Sequence, residues 1–87
     1  MASYELLFKK SVARDLRPFP KQDVKRILQR IRALADEPRP PGCEKLSGQE
    51  RYRVRQGVYR IVYEIEDGLL TVLIVKVGHR REVYRSA

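Results

Sequence analysis

The stretch RYRVRQGVYRIVYE, residues 51–64, carries four arginines in its first ten positions and no acid before Glu64. Tyr and Val lie between the arginines, and these residue types favour β-strands. The dipeptide Gln56-Gly57 interrupts the pattern and is typical of a two-residue hairpin turn. We therefore predict a β-hairpin made of strands 52–55 and 58–66.

This turn also predicts which side chains face each other across the hairpin. Arg53 faces Arg60, and Arg55 lies on the same side of the sheet because side chains alternate along a strand. Like charges on neighbouring strands repel, so the three guanidiniums indicate a site for an anion such as phosphate. The alternative is a solvated face on which the arginines stack on tyrosine or pair with acids: Glu64, Glu66 or Glu82. Two further predicted pairs are Arg55–Val58 and Val54–Tyr59.

Two more strands complete the predicted sheet, at residues 4–8 and, after a second two-residue turn at Asp67-Gly68, at residues 69–77. The second turn predicts two pairs: Ile61–Ile74 and Arg60–Val75. Alternation then gives one apolar face that receives the helices: Tyr52, Val54, Tyr59, Ile61, Tyr63, Ile65, Leu70, Val72 and Ile74. The second face is mixed: Arg53, Arg55, Arg60, Val62, Glu64, Thr71, Leu73, Val75 and Val77. The apolar run 69–75 indicates a central strand covered on both sides, with the tail around Val83 and Tyr84 as the second cover.

Two helices are expected between the first strand and the hairpin. Residues 9–16 form a short helix, which Pro18 and Pro20 end. A longer helix begins at Asp23, whose side chain can cap it, and runs to about residue 36. Its apolar residues recur at the spacing of one buried stripe: Val24, Ile27, Leu28, Ile31, Leu34 and Ala35. The predicted fold class is α+β in the order β-α-α-β-β-β, a four-stranded, mainly antiparallel sheet with both N-terminal helices on one face.

The totals bound the class of protein. A chain of 87 residues suits a single domain, and its net charge of +8 favours a polyanionic partner such as nucleic acid or an acidic protein. No apolar run approaches the roughly 18–20 residues that span a bilayer, and no signal peptide is visible, so we expect a cytoplasmic protein without membrane association. One cysteine and one histidine exclude an intramolecular disulfide and the usual Cys/His zinc sites, so no metal and no cofactor is expected.

The segment VGHRREVY, residues 77–84, adds polar groups directly after the last predicted strand. Gly78 permits a sharp exit, so the following side chains can return over the three arginines: His79, Arg80, Arg81 and Tyr84. RNA cleavage needs a base for the ribose 2′-OH, cations for the charge at phosphorus, and an acid for the leaving 5′-oxygen. Guanidiniums favour the phenolate of Tyr84, and His79 suits acid or base work near neutral pH. Taken singly, each has a structural alternative, since a lone histidine is more often structural and a tyrosine can anchor the tail.

Three segments together resemble the RelE-type toxins of the RelE/ParE superfamily: PPGCEKLSG (40–48), YRVRQGVYRIVYEI (52–65) and VGHRREVY (77–84). The resemblance covers essentially the whole chain, and the last two segments are the specific ones. Toxins of this type are small basic ribonucleases that enter the ribosomal A site and cut mRNA by 2′-OH attack, without a metal. The resemblance therefore implies the toxin of a type II toxin–antitoxin system, a ribosome-dependent endoribonuclease that inhibits translation.

The resemblance also implies roles for individual residues. Arg60 matches the catalytic arginine, and Tyr84 matches the proposed general base, with His79 as the alternative. Arg80 matches the group that protonates the leaving oxygen or stabilises its charge, and Arg81 can exchange roles with it. The implied catalytic set is Arg60, Tyr84, Arg80, Arg53, Arg55 and His79. The implied RNA- or ribosome-binding set is Arg51, Arg81, Lys45 and Lys76.

The expected partners are mRNA on the ribosome, rRNA, and an acidic antitoxin encoded by an adjacent gene. By the resemblance, the toxin is monomeric when free and hetero-oligomeric with its antitoxin. Two other functions stay open: a ParE-like toxin that binds DNA gyrase and cuts nothing, and a basic module that binds without catalysis. The ParE-like branch generally lacks the Arg/Tyr set, which argues against the first of these.

Overall fold

A computed structural model of the protein describes residues 3–46, 48 and 50–79. Strand β1 (Glu5–Phe8) leads into helix α1 (Lys10–Leu16) and helix α2 (Lys21–Asp36). Four strands follow: β2 (Glu44–Lys45), β3 (Arg51–Gln56), β4 (Tyr59–Glu66) and β5 (Thr71–His79). They form one sheet in the order β1-β5-β4-β3-β2, in which β1 is parallel to β5 and the other pairs are antiparallel. The α+β class is confirmed, and the predicted count of four strands was wrong.

The additional strand is β2, which pairs with the outer edge of β3. Glu44 lies opposite Arg53, and Lys45 lies opposite Tyr52. A strand of two residues has no alternation that a sequence pattern can detect. It nevertheless matters for the site, because it brings an acid next to one of the hairpin arginines.

Helix α2 packs on the sheet through the predicted stripe. Ile27, Ile31 and Leu34 are fully buried, and their neighbours along the stripe are half-buried. The prediction that Asp23 caps the helix was wrong, because the helix begins at Lys21, directly after Pro20. Asp23 lies in the first turn and accepts a hydrogen bond from the Tyr59 hydroxyl instead, at 2.6 Å.

The hairpin turn lies one residue later than predicted. Gly57 adopts the left-handed region with φ of +60° and, with Val58, forms the tip, so that Gln56 pairs with Tyr59. Arg55 therefore faces Arg60, whereas Arg53 faces Val62 and not Arg60. Each residue of β3 now pairs with the residue of β4 two positions beyond its predicted partner. Because this shift is even, every side chain of the hairpin keeps its predicted face.

The connection between β4 and β5 is also longer than predicted. A 3₁₀ turn (Asp67–Leu69) and Leu70, which has φ of +48°, replace the predicted two-residue turn. Glu66 then pairs with Thr71. Leu70 lies in this turn with 42% of its surface exposed, so its predicted place on the apolar face was wrong.

A β-bulge changes the register again in the middle of β5. Tyr63 pairs with Ile74 and Val62 with Lys76, so Val75 is the extra residue of the bulge. Beyond it, Ile61 faces Val77 and Arg60 faces Gly78, which overturns the predicted pairs Ile61–Ile74 and Arg60–Val75. Val77 consequently lies in the core under the helices, at 1% exposure, and not on the second face.

The core lies between the helices and one face of the sheet. Ten buried residues form it: Val12, Ile27, Ile31, Leu34, Val54, Ile61, Tyr63, Val72, Ile74 and Val77. On the opposite face, which we call the open face, Val62 and Val75 form a small cluster with Leu46 and Leu73. Strand β5 is central, as predicted, and Leu46 provides part of its second cover. The tail around Val83 and Tyr84, predicted as that cover, lies outside the described residues.

Candidate functional site

Two arginines face each other at the hairpin end of the open face. Arg55 on β3 is directly opposite Arg60 on β4, a position that brings Cβ atoms to roughly 4.5–5.5 Å. Arg55 is exposed, whereas Arg60 is only 4% exposed and is the one buried charged side chain in the described part of the chain. A water-sized cleft of about 20 Å³ lies here, lined by Arg55, Gly57, Tyr59 and Arg60. Two guanidiniums held this close favour an anion between or above them.

The carboxylate of Glu44, on the neighbouring strand β2, responds to the positive electrostatic field of the arginines. Glu44 Oε2 accepts a hydrogen bond from Nη2 of Arg53 at 2.5 Å, and the Arg53 side chain is 18% exposed. This hydrogen bond, followed by the charges of Arg53, Arg55 and Arg60, holds the pKa of Glu44 below its ordinary value. An anion beside Arg53 is therefore stabilised by all three arginines at once, which is the property that a phosphate site needs.

At the end of the hairpin away from its tip, an arginine is paired with an acid. Arg51 Nε donates to Glu64 Oε2 at 2.9 Å, and both side chains are about half-buried. The solvated-face alternative from the sequence thus describes Arg51 well. Arg55 and Arg60, at the other end of the same strands, form the part of the hairpin in which no acid faces an arginine across the β3–β4 ladder.

The two predicted RNA-binding lysines lie on different faces. Lys76 is half-buried and sits opposite Val62 on the open face, on the same side of the sheet as Arg60. Lys45 sits opposite Tyr52 and so points to the helix side of the edge strand. It is exposed and forms an ion pair with Glu50 at 3.5 Å.

His79 lies away from the arginines, contrary to the predicted return over them. It pairs with Tyr59 at the end of β5, and the two rings meet edge to face with centroids 6.4 Å apart. Tyr59 belongs to the helix side, where it packs on Phe19 and donates to Asp23, a hydrogen bond that raises the pKa of Tyr59. The sheet therefore separates His79 from Arg60. The other predicted residues of the tail, Arg80, Arg81 and Tyr84, lie outside the described residues.

Glu44 was not among the residues predicted for the site. Its position in the site follows from its pairing with Arg53, and that pairing depends on a two-residue strand. The one indication in the sequence is that an acid, Glu44, precedes Lys45 and Leu46 shortly before the hairpin. Without the register of β2, that indication does not say which arginine the acid meets.

Comparisons with known proteins show the family to which the chain belongs. Residues 6–84 match the family model of the ParE toxin of type II toxin-antitoxin system, parDE. The chain is 31% identical over 86 residues to Toxin RelG of Mycobacterium tuberculosis, a match that covers 94% of this chain and 97% of the relative.

Solved structures are similar over nearly the same length. The toxin–antitoxin complex RelBE2 of Mycobacterium tuberculosis contains a chain with a TM-score of 0.82 and 29% identity, covering 92% of this chain and 94% of that chain. A chain of the archaeal RelE–RelB complex of Pyrococcus horikoshii has a TM-score of 0.80 and 30% identity, and the match covers 90% of this chain and 96% of that chain. With a family model that spans residues 6–84, these matches assign the chain to the ParE toxin family, within the RelE/ParE superfamily of type II toxin–antitoxin toxins.

Proposed function

We propose that this toxin is an endoribonuclease that cuts mRNA in the ribosomal A site and thereby stops translation. The observation that carries the proposal is the Arg55–Arg60 pair on the open face, in a field that already lowers the pKa of Glu44. A phosphodiester gains negative charge as a fifth oxygen attaches to phosphorus. Preorganised cations at that point stabilise the transition state more than the bound substrate.

The proposed reaction is an internal transfer of the phosphoryl group. A base removes the proton of the ribose 2′-OH, the 2′-oxygen bonds to phosphorus, and the bond from phosphorus to the 5′-oxygen breaks. An acid gives the 5′-oxygen its proton, which leaves a 2′,3′-cyclic phosphate and a free 5′-OH. The products contain all the atoms of the substrate and no oxidant or reductant is needed.

The arginines supply charge in this scheme and other groups supply proton transfer, because a guanidinium stays protonated in proteins. The position of His79 beside Tyr59, across the sheet from Arg60, favours Tyr84 as the base. Arg80, with Arg81 as the alternative, is proposed to stabilise the negative charge of the leaving 5′-oxygen. These assignments follow the family pattern in VGHRREVY.

The proposal includes a cognate antitoxin as partner. The two similar crystal structures are complexes of RelE-type toxins with RelB antitoxins, and the toxin here carries a net charge of +8. A segment rich in Asp and Glu is attracted to such a surface and can fold as it wraps the domain. Toxin and antitoxin are then expected to form a hetero-oligomer that keeps RNA away from the open face.

The test is mRNA cleavage in a translation extract, mapped by primer extension. The native protein should produce cuts within the reading frame, and Arg60→Ala should reduce the cleavage rate by about 10²–10³-fold. Arg60 is buried, so Arg60→Lys is tested alongside it, since it keeps the charge but loses the bidentate fork. Arg39→Gln is the charge-matched control, because Arg39 is bound to Asp67 at 2.9 Å outside the site. Circular dichroism and thermal melting confirm that each variant is folded.

An absence of mRNA cleavage contradicts the proposal. If the folded native protein leaves mRNA intact, the ribonuclease proposal fails. The match to a ParE family model makes gyrase the second target to examine, so supercoiling by DNA gyrase is measured with the same preparation. Inhibition of gyrase with intact mRNA identifies a ParE-like toxin, and salt-dependent RNA binding with neither activity identifies a binding module.

A further inference from the structure

The outer surface of the two helices is rich in positive charge, although ten of the nineteen Lys and Arg of the protein lie elsewhere. Residues 9–32 contain nine Lys and Arg and two acids, Asp15 and Asp23, and α2 ends at a third, exposed acid, Asp36. The first two acids turn inward: Asp15 Oδ2 accepts the backbone N–H of Val77 at 3.1 Å, and Asp23 Oδ2 accepts the hydroxyl of Tyr59 at 2.6 Å. The nine cations are exposed, apart from the half-buried Arg30. We call these nine side chains the helix basic surface.

The cations of this surface are not neutralised within the described part of the chain. The four ion pairs among described residues use other cations: Arg39, Lys45, Arg51 and Arg53. Three pairs within the surface place like charges at i and i+4, which destabilises a helix: Lys10–Arg14, Lys21–Lys25 and Arg26–Arg30. An ordinary solvated helix face mixes both signs of charge and avoids such pairs. The unfavourable pairs therefore point to a ligand that supplies the missing negative charge.

Three cations of the surface lie in one track along α2. Lys21, Lys25 and Arg32 fall within about 40° of one another around α2, and they span about 16 Å of its axis. Ile27 and Ile31, which pack α2 on the sheet, lie about 100–140° around the helix from this track, so the track lies on an exposed flank of α2. The Arg55–Arg60 pair lies on the far side of the same sheet. The protein thus presents two cationic surfaces, back to back.

The chemistry of the surface favours a phosphate backbone over a protein. The large apolar side chains that are exposed in the described residues all lie outside the helices: Leu7, Phe8, Val58, Leu69 and Leu70. Protein partners need an apolar centre to their interface, whereas the backbone of a nucleic acid is bound by cations without apolar anchors. The exposed apolar side chains that an antitoxin can contact therefore lie at the strand edge and the turns, and not on the helix basic surface.

We propose that the helix basic surface binds the phosphate backbone of structured RNA. If the proposed function is correct, on which this assignment of the ligand rests, that RNA is ribosomal RNA beside the A site. The helix basic surface then holds the toxin on the ribosome while the open face receives the mRNA strand. The two surfaces act on different RNA chains, because the sheet and its core separate them.

The test measures binding of labelled toxin to purified ribosomes that carry no mRNA, over a range of salt concentrations. The variant is the triple substitution Lys21→Gln, Lys25→Gln and Arg32→Gln, all at exposed positions and all to a good helix former. We expect a loss of affinity of about tenfold or more and a salt slope smaller by about 2 to 3, since each lost phosphate contact removes about 0.7–0.9.

Two controls show that position and charge matter together. The conservative triple Lys21→Arg, Lys25→Arg and Arg32→Lys keeps every charge and should keep the native affinity and slope. The single variants Lys25→Gln and Arg39→Gln lose the same charge, and only Lys25→Gln should reduce the slope. An equal effect of the two singles means that net charge alone governs binding, and it overturns the inference.

Further outcomes separate this inference from the proposed function. A neutralised triple variant that binds ribosomes like the native protein overturns the inference, even if Arg60→Ala abolishes cleavage. A triple variant that keeps ribosome binding but loses the purified antitoxin assigns the surface to the protein partner, which also overturns it. If no mRNA is cut but the triple variant loses ribosome affinity, the helix basic surface is supported and the proposed nuclease activity fails.

Discussion

The two faces of the sheet use the same strands for different purposes. The helix side is a continuous apolar core, in which even the buried hydroxyl of Tyr63 donates to the carbonyl oxygen of Pro38 at 2.7 Å. Among the described residues, the open face has a cluster of two buried residues, Val62 and Val75, beside a group of arginines. Because side chains alternate along β3 and β4, the core residues Val54 and Ile61 are next in sequence to arginines of the open face. Substitutions one residue apart should therefore affect the stability of the protein and its binding of anions separately.

The largest effect is expected on the free energy of unfolding, from a substitution on the helix side of the sheet. Ile61 is fully buried between α2 and the sheet, directly after Arg60 in sequence. Ile61→Ala should lower the free energy of unfolding by about 2–5 kcal/mol, because it removes buried methyl groups and leaves a cavity. Urea denaturation measures this. Val58→Ala, at a hairpin tip position that is 48% exposed, is the control and should change the free energy by less than about 0.5 kcal/mol.

The next effect tests the open face in isolation. Arg55→Gln removes an exposed guanidinium that faces Arg60. Cleavage, or affinity for an RNA oligonucleotide, should fall by about 10–100-fold, since charge-assisted contacts to phosphate are lost. The free energy of unfolding should stay the same or rise by a few tenths of a kcal/mol, roughly the size of a cross-strand repulsion. Loss of stability above about 1 kcal/mol shows instead that Arg55 is structural.

The division into two faces could be predicted from the sequence, because it depends on a period of two that survives errors in the turns. Moving the hairpin tip from Gln56-Gly57 to Gly57-Val58 changed every pairing in β3 and β4 but left Arg53, Arg55 and Arg60 on one face. The buried stripe of α2 was predictable for the same reason, since its period of 3.6 does not depend on where the helix begins. Asp23 was misplaced because a helix end depends on single residues.

The position of His79 could not be predicted, because one inserted residue reverses the alternation. Both Val75 and Lys76 lie on the open face at the bulge, so Val77 and His79 point to the helix side. Nothing in the run TVLIVKVGH marks where the extra residue lies. The contact between Glu44 and Arg53 was hidden for a related reason, since a strand of two residues has no period. The sequence therefore indicated which side chains share a face along long strands, but not the neighbours that bulges and short strands bring in.

The smallest expected effect concerns that hidden acid, which makes the open face less cationic than the sequence indicates. Glu44 occupies the place beside Arg53 where a phosphate oxygen can bind, and an exposed ion pair of this kind is weak. Glu44→Gln keeps the shape and removes the charge. At neutral pH it should raise the affinity of the protein for an RNA oligonucleotide by about two- to fivefold. Weaker binding by the variant means that Glu44 holds Arg53 in position for RNA and does not compete with it.

The pH dependence of the same variant shows whether the carboxylate itself is responsible. The pKa of Glu44 is depressed in the folded protein by Arg53, so its ion pair is fully formed above the ordinary value of 4.5 and is lost as the pH falls through the lower, folded pKa. As the pH falls through the folded pKa of Glu44, the native protein should therefore gain affinity for RNA, whereas Glu44→Gln should show no such gain. The difference in affinity between the two proteins should vanish at the acid end of the titration. A difference that persists there comes from the shape of the side chain and not from its charge, and the open face then has no acid that competes with phosphate.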